Sequence, residues 1–250
     1  MSDVYGAETG SNRISELLDI TTGSAVSVVG CGGKTSLIEL IASLNRSEKV
    51  LVSPTTKTFP MISDNVILCD TLEKCTEHEP LAGIQCLGLY NERNGKLEAL
   101  PEQVLNDLVP HYDIVLMEAD GSRWLPCKGW RDNEPVIHYF STQTVGVVTM
   151  NALDKAAKSD IVHHLPEFLS LTGLYEGEKI TIQALEDMVN LPEGMFKNSV
   201  GKQYLLVNQV EDENTRRTAE SFLQAIKEKY PGRFKRLIYG SVHNNTWQEV

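Results

Sequence analysis

Apolar positions along the chain fall into two alternating rhythms. Short runs rich in Val, Ile and Leu recur at residues 25–30, 49–53, 66–69, 84–90, 113–118, 144–150, 203–208 and 235–240. Unbroken apolar stretches, such as 114–117, mark strands covered on both faces rather than one. Between them lie segments with helical spacing, at 11–19, 35–45, 101–109, 182–189 and 214–229. In the second of these, Leu37, Ile41 and Leu44 share a stripe. In the last, Ala219, Phe222, Leu223, Ile226 and Tyr230 share one, with Lys and Glu opposite. This alternation predicts an α/β fold built on a mostly parallel, doubly wound sheet. From about 153 to 200 the rhythm breaks into helices and loops, read as a helical insertion or cap within one domain covering 1–250. The polar, glycine-containing first ten residues are expected to fray.

Charge and composition narrow the function. Lys and Arg number 23 against 34 Asp and Glu, a formal net charge of −11. That balance disfavours a protein whose main work is gripping nucleic acid. No apolar run approaches the ~18 residues of a membrane span. The start, MSDVYGAETGSNR, has neither a basic nor an apolar segment of the secretory kind. Five cysteines at irregular spacing (Cys31, Cys69, Cys75, Cys86 and Cys127) form no CxxC pair. The expectation is a reduced, cytoplasmic chain without a structural zinc site.

The strongest chemical signal is the run from Ala25 to Ser36, AVSVVGCGGKTS. A hydrophobic strand leads into a glycine turn, then Lys-Thr, then a helix. Glycines at 30, 32 and 33 let backbone N–H groups curl round an anion without Cβ obstruction. The helix start adds unpaired N–H groups and a partial positive charge. Lys34 then suits the β- and γ-phosphates of a nucleoside triphosphate, and the Thr35 hydroxyl suits Mg²⁺. The order is that of a P-loop NTPase-like fold. The long P-loop pattern wants glycine at 28, where this chain has Val28, so the loop is the shorter G-x-x-G-K-T and resembles that of the Mur ligases. Cys31 and Ser36 complete the candidate phosphate contacts. Two rivals are a plain strand-to-helix turn and a dinucleotide fingerprint; the second lacks a ribose-binding acid ~20 residues on. The net charge does not oppose binding decisively, because exposed charges beyond ~10 Å are largely screened.

Other loops add to this. Residues 113–123 read as a strand delivering Glu118 and Asp120 to its carboxyl end, where an acid of a P-loop protein holds Mg²⁺; which of the two does so stays open. Lys34, Glu118 and Asp120 are the catalytic candidates. Thr55, Thr56 and Lys57 follow the second strand, where the hydroxyls suit the Mg²⁺ shell and Lys57 a phosphate. Arg123, Lys128 and Arg131 suit the anionic end of a second substrate. Asn208 begins a loop resembling the base-reading N-K-x-D loop of GTPases. Gln209 stands in place of its Lys and Glu211 in place of its Asp, so ATP fits better than GTP. His163 and His164 lack metal-ligand spacing and read as structural. Cys31 and Cys127 can meet in space without any cue for redox chemistry.

Taken together, VVGCGGKTS, SPTTK at 53–57, EADGSR at 118–123, LPCKG at 125–129, NEPVI at 133–137 and VNQ at 207–209 resemble the YqeC family, from about residue 24 to 210. The resemblance implies a P-loop-like α/β fold and a role in maturing selenium-dependent, molybdenum-containing hydroxylases. The implied partner is such a hydroxylase or its cofactor. It carries nucleotide contacts onto Gly30, Gly32, Gly33, Lys34 and Thr35, the acidic motif onto Glu118 and Asp120, and the basic follow-on onto Arg123 and Lys128. The chain departs from the family pattern at Cys31, at Pro54 and at 152–155, where no glycine precedes Lys155. The expected activity is Mg²⁺-dependent NTP hydrolysis or phosphoryl or nucleotidyl transfer. The alternatives are a nucleotide-gated chaperone with negligible turnover, and an ATP-dependent ligase or small-molecule kinase.

Overall fold

The computed structural model describes residues 12–58, 66–69, 71–77 and 79–250. The expected fraying of the first ten residues, and the start of the first helix at Ser11, lie outside them. The strands are β1 (Ser24–Gly30), β2 (Lys49–Pro54), β3 (Val66–Cys69), β4 (Gly83–Asn91), β5 (Lys96–Glu98), β6 (Ile114–Glu118), β7 (Cys127–Lys128), β8 (Gln143–Thr149), β9 (Val162–His163), β10 (Lys202–Asn208), β11 (Arg236–Ser241) and β12 (Thr246–Glu249). The helices are α1 (Arg13–Leu17), α2 (Lys34–Leu44), α3 (Leu72–Thr76), α4 (Glu102–Leu108), α5 (Leu165–Thr172), α6 (Ile182–Asn190) and α7 (Glu213–Lys229).

Ten strands form one sheet in the order β12-β11-β10-β8-β1-β6-β2-β4-β3, with β5 also paired to β4. The ladders are parallel except at β12 and β5, which are antiparallel. Every residue of β1 and of β8 is buried, as their continuous apolar composition requires for central strands. The expected doubly wound α/β sheet is therefore present. Alternating residues of the strands enter different cores. Val26 and Val28 pack with Leu37 and Ile41 of α2 and with Ile14 and Leu17 of α1. Val29, Leu205 and Val207 face the other way, towards α5, α6 and α7. On that second face, Ala25, Leu51 and Met117 meet Leu105 and Leu108 of α4.

Between 153 and 200 the chain forms α5, α6 and the short strand β9, which pairs with β7 through Cys127↔Val162 and Lys128↔His163. Phe168, Leu185, Met188, Met195 and Phe196 from this stretch join the core that holds Val148, Leu205 and Phe222. The sequence pattern did not mark β5, β12, the β7–β9 pair, α3 or α5. The first four are two to five residues long, too short to display a period.

Chain order reverses at β1. The crossover through α2 leads to β2 on one side, and β8 lies on the other, which opens a crevice beyond the carboxyl end of β1. Gly30 ends β1 there, Glu118 ends β6, Thr149 ends β8 and Asn208 ends β10. Helix α7 closes the second face with Phe222, which is 1% exposed. Truncation by Phe222→Ala is expected to lower stability by about 3–5 kcal/mol, read as an earlier midpoint in denaturant with the slope unchanged.

Candidate functional site

The turn after β1 needs its glycines for close approach. Gly30, Gly32 and Gly33 have φ of +99°, +94° and +112°. A Cβ on Gly30 would lie 2.3 Å from the Val147 carbonyl oxygen, one on Gly32 would lie 2.7 Å from Thr149 Cβ, and one on Gly33 would lie 2.5 Å from Asn208 Nδ2. The loop is thus moulded onto the ends of β8 and β10. Two of its amides are spent inside the protein: Gly30 N–H bonds to Asp120, and Cys31 N–H donates to Val147 O at 2.9 Å. The first helical bond of α2 runs from Leu37 N to Gly33 O, 3.0 Å. Among the described residues, no acceptor meets the amides of Gly32, Gly33, Lys34, Thr35 and Ser36. Five N–H groups at a helix start are therefore without an acceptor among the described residues, and the helix dipole adds positive potential there.

The charges behind the loop are buried and paired. Lys34 Nζ donates to Gly30 O at 2.7 Å, and lies 3.3 Å from Asp120 Oδ1 and 3.6 Å from Glu118 Oε1. Burial on its own would lower the Lys34 pKa, but Asp120 and then Glu118 outweigh it and hold the ammonium charged. Asp120 is fully buried. It accepts Gly30 N–H on both oxygens at 3.1 Å and Trp130 Nε1–H at 2.7 Å, and pairs with Lys128 Nζ at 3.2 Å. Burial would raise its pKa, yet Lys128 and Lys34 together pull it below the ordinary carboxylate range. Glu118 sits nearer the crevice, its side chain 13% exposed. Its Oε2 accepts from Thr35 Oγ1 at 3.1 Å and Thr58 Oγ1 at 3.4 Å.

The family described as YqeC protein matches residues 26–166, a stretch that holds the glycine turn, Lys34, Glu118, Asp120 and Lys128. The protein YqeC of Escherichia coli (strain K12) is 31% identical over 183 residues, covering 70% of this chain and 71% of that protein. The chain belongs to the YqeC family.

The chain uses several of its sequence-predicted site residues differently from expectation. Asp120 points inward, and its oxygens are filled by Gly30, Trp130, Lys34 and Lys128, so it anchors the loop and lacks an open face for a metal. Lys128 is equally buried. Its amino group meets Gly121 O at 2.7 Å and Glu134 Oε2 at 3.3 Å besides Asp120, which removes it from any exposed anion site. Asn208 is 3% exposed and works as a strut, its Nδ2 donating to Gly32 O at 2.8 Å and its Oδ1 accepting from Val242 N at 3.0 Å. At that burial the amide is committed to holding the loop and Val242 rather than presented to the surface. Lys57 turns out to Glu98, 2.8 Å away. Thr55 Oγ1 donates to Val136 O at 2.7 Å; Thr56 is half-buried, and Ser36 and Arg123 are exposed. Cys31 donates to Pro126 O at 3.2 Å, and burial pushes its thiol up to about 12, so it is a packing group here rather than a nucleophile.

Two residues outside the predicted set enter the site. Thr58 shares Glu118 with Thr35. Glu39 lies one helical turn beyond Thr35 on α2; burial first, and the neighbouring Glu118 second, hold its pKa above the ordinary range. The spacing of four from Thr35 was the available signal for Glu39. His163 and His164 stack with ring centroids 3.8 Å apart, and His164 Nε2 lies 3.4 Å from Glu134 Oε2. The two rings therefore join the far end of the Asp120–Lys128–Glu134 network.

Two outcomes test this account. Asp120→Asn leaves two buried ammonium groups without their shared carboxylate and should cost about 3–5 kcal/mol. The stability that Asp120 contributes is present above its unfolded-state pKa and fades as pH falls through the lower folded one. Chemical denaturation against pH should therefore show a steeper acid limb in the native chain than in the variant. His163 shifts the same way for another reason: burial, then the neighbouring His164 and the cations Lys128, Arg123 and Arg131, push its pKa down to about 4. Protonation in the unfolded chain then drains stability as pH falls from about 6.5 to about 4. His163→Gln should flatten that part of the curve.

Proposed function

We propose that this chain binds the Mg²⁺ complex of a nucleoside triphosphate at residues 30–36 and acts on its phosphate chain. In this reading it works by NTP hydrolysis or by phosphoryl or nucleotidyl transfer, in the maturation of a selenium-dependent molybdenum hydroxylase. The observation that carries the reading is the set of five acceptor-free amides at 32–36, backed by the charged Lys34. Each hydrogen bond to a charged acceptor contributes ~1.5–3 kcal/mol, so several together outweigh the diffuse repulsion of a −11 chain. The Lys34 ammonium rests on Gly30 O and two carboxylates, and a phosphate entering the cradle offers it a further anionic partner.

The donors suit a hard divalent cation. Thr35 and Glu118 present oxygen atoms already 3.1 Å apart, with Thr58 and Glu39 beside them. Mg²⁺ favours one or two carboxylates, retained waters and phosphate oxygens. Bound there, it would offset phosphate charge and polarise the reacting phosphorus. Asp120 supports the site from below by fixing Gly30 and Lys34.

A second reading has one observation in its favour. A nucleotide-gated chaperone with negligible turnover fits a site whose central carboxylate, Asp120, is saturated and cannot order a nucleophile. Glu39 is the residue that separates the two, because it follows Thr35 by one helical turn and carries a second carboxylate that interacts with Glu118.

Titration calorimetry with Mg–ATP tests the cradle. The native chain should bind, Lys34→Ala should lose at least tenfold in affinity, and Thr35→Ala should lose Mg²⁺-dependent affinity while keeping its melting temperature. No binding by the native chain to ATP, GTP or CTP would overturn the proposal. Phosphate release that is abolished by Glu39→Gln with binding retained favours turnover; binding without release in the native chain favours the chaperone.

A further inference from the structure

Asn208 is withdrawn into the structure, but the position after it is not. Gln209 is exposed and has φ of +64°, a left-handed backbone that turns the chain outward just past β10. Asn151 is exposed too, in the tight turn that follows β8. β8 and β10 are parallel neighbours, with Thr149 opposite Asn208, so their following residues emerge side by side. The two side chains meet: Asn151 Nδ2 donates to Gln209 Oε1 at 2.9 Å, and Thr149 Oγ1 donates to the same oxygen at 2.7 Å. Thr149 Oγ1 in turn accepts Asn151 N–H at 3.2 Å.

This network fixes what each carboxamide has left to offer. Both lone pairs of Gln209 Oε1 are taken, which leaves the two Nε2–H groups facing out. Asn151 has committed one of its two Nδ2 hydrogens, which leaves the other N–H and Oδ1, the latter an acceptor. A donor and an acceptor thus stand together on one rigid patch. Thr149 forms the floor of that patch and also packs against Gly32, whose hypothetical Cβ would lie 2.7 Å from Thr149 Cβ. The patch is therefore the wall of the cradle on its β8–β10 side. A flat group with one acceptor beside one donor is the complement, and the hydrogen-bonding edge of a nucleobase has that form. Guanine further asks for a carboxylate that spans its two adjacent N–H donors. Glu211, the nearest acid along the chain, instead accepts from Ser241 Oγ at 3.0 Å.

We infer that Asn151 and Gln209 together read the base of the nucleotide, pairing with the N1 acceptor and 6-amino donor of adenine in preference to guanine, whose adjacent N1–H and 2-amino donors find Glu211 already engaged by Ser241. The inference rests on residues 30–36 holding the triphosphate, and it assigns specificity to two residues of the same site. Both side chains are exposed, so shortening either opens no cavity in the core.

The test compares Mg–ATP, Mg–GTP and Mg–tripolyphosphate, the last having phosphates and no base. In the native chain ATP should bind more tightly than tripolyphosphate and more tightly than GTP. Asn151→Ala and Gln209→Ala should each weaken ATP by about five- to tenfold and leave tripolyphosphate unchanged, which also reports an intact cradle. Gln209→Glu replaces the outward donor by a carboxylate oxygen and should move the ATP-to-GTP ratio towards GTP. Unchanged ATP affinity in both alanine variants overturns the inference and leaves the cradle standing. Failure of tripolyphosphate and both nucleotides to bind the native chain overturns the cradle and the inference with it.

Discussion

The structure around the candidate site depends on one buried carboxylate. Asp120 has no contact with solvent, yet it stays ionised because two ammonium groups, an indole N–H and a backbone N–H surround it. A charge moved out of water is costly, and only such a full set of partners makes its burial tolerable. What the molecule gains is geometry. The Gly30 amide is held at the end of β1, Lys34 is held under the loop, and the 121–130 segment is tied down through Lys128 and Trp130. Removing any one member leaves the others poorly solvated, so the loop's shape is set by electrostatics as much as by packing.

From that anchor the pairs run outward in alternating sign, from Lys34 to Asp120, Lys128 and Glu134, and Glu134 in turn lies 3.4 Å from His164 Nε2. The last of these begins α5, where it occupies the N-cap position with φ of +55°. The segment 153–200 is therefore joined to the loop region through the Glu134–His164 contact and the β7–β9 pairing, and to β8, β10 and α7 by apolar packing. Such a chain of pairs holds elements distant in sequence in one register, at little net gain in stability.

Much of the architecture was legible because the main strands are continuous apolar runs and the main helices carry a clear stripe. The eight strands marked by hydrophobicity all exist, with ends shifted by a residue or two. Strand β12, with only Trp247 buried, and β5, with only Leu97 buried, are set by pairing with a neighbour rather than by a period of their own. In the site, the glycines and Lys34 could be read locally, because a strand–turn–helix junction forces their conformation. Lys128 could not. In the sequence it follows a strand end, and its burial comes from Asp120, two residues past β6, and from Glu134, six positions further along the chain. Asn208 was visible as a polar residue ending a strand, but whether its amide faces a ligand or the phosphate loop depends on Gly32, which is 176 positions away.

The stretch that defines the family match ends at residue 166, while the strut under the phosphate loop comes from beyond it. Strand β10 also supplies the outer ladder of β8. A fragment cut at the match boundary would turn β8 into a bare sheet edge, with unpaired N–H and C=O groups along its length. It would also leave the Gly32 carbonyl without the amide that steadies it. The conserved-looking motif and the folding unit are thus different objects, and the loop acquires its shape only from a chain that continues through β11.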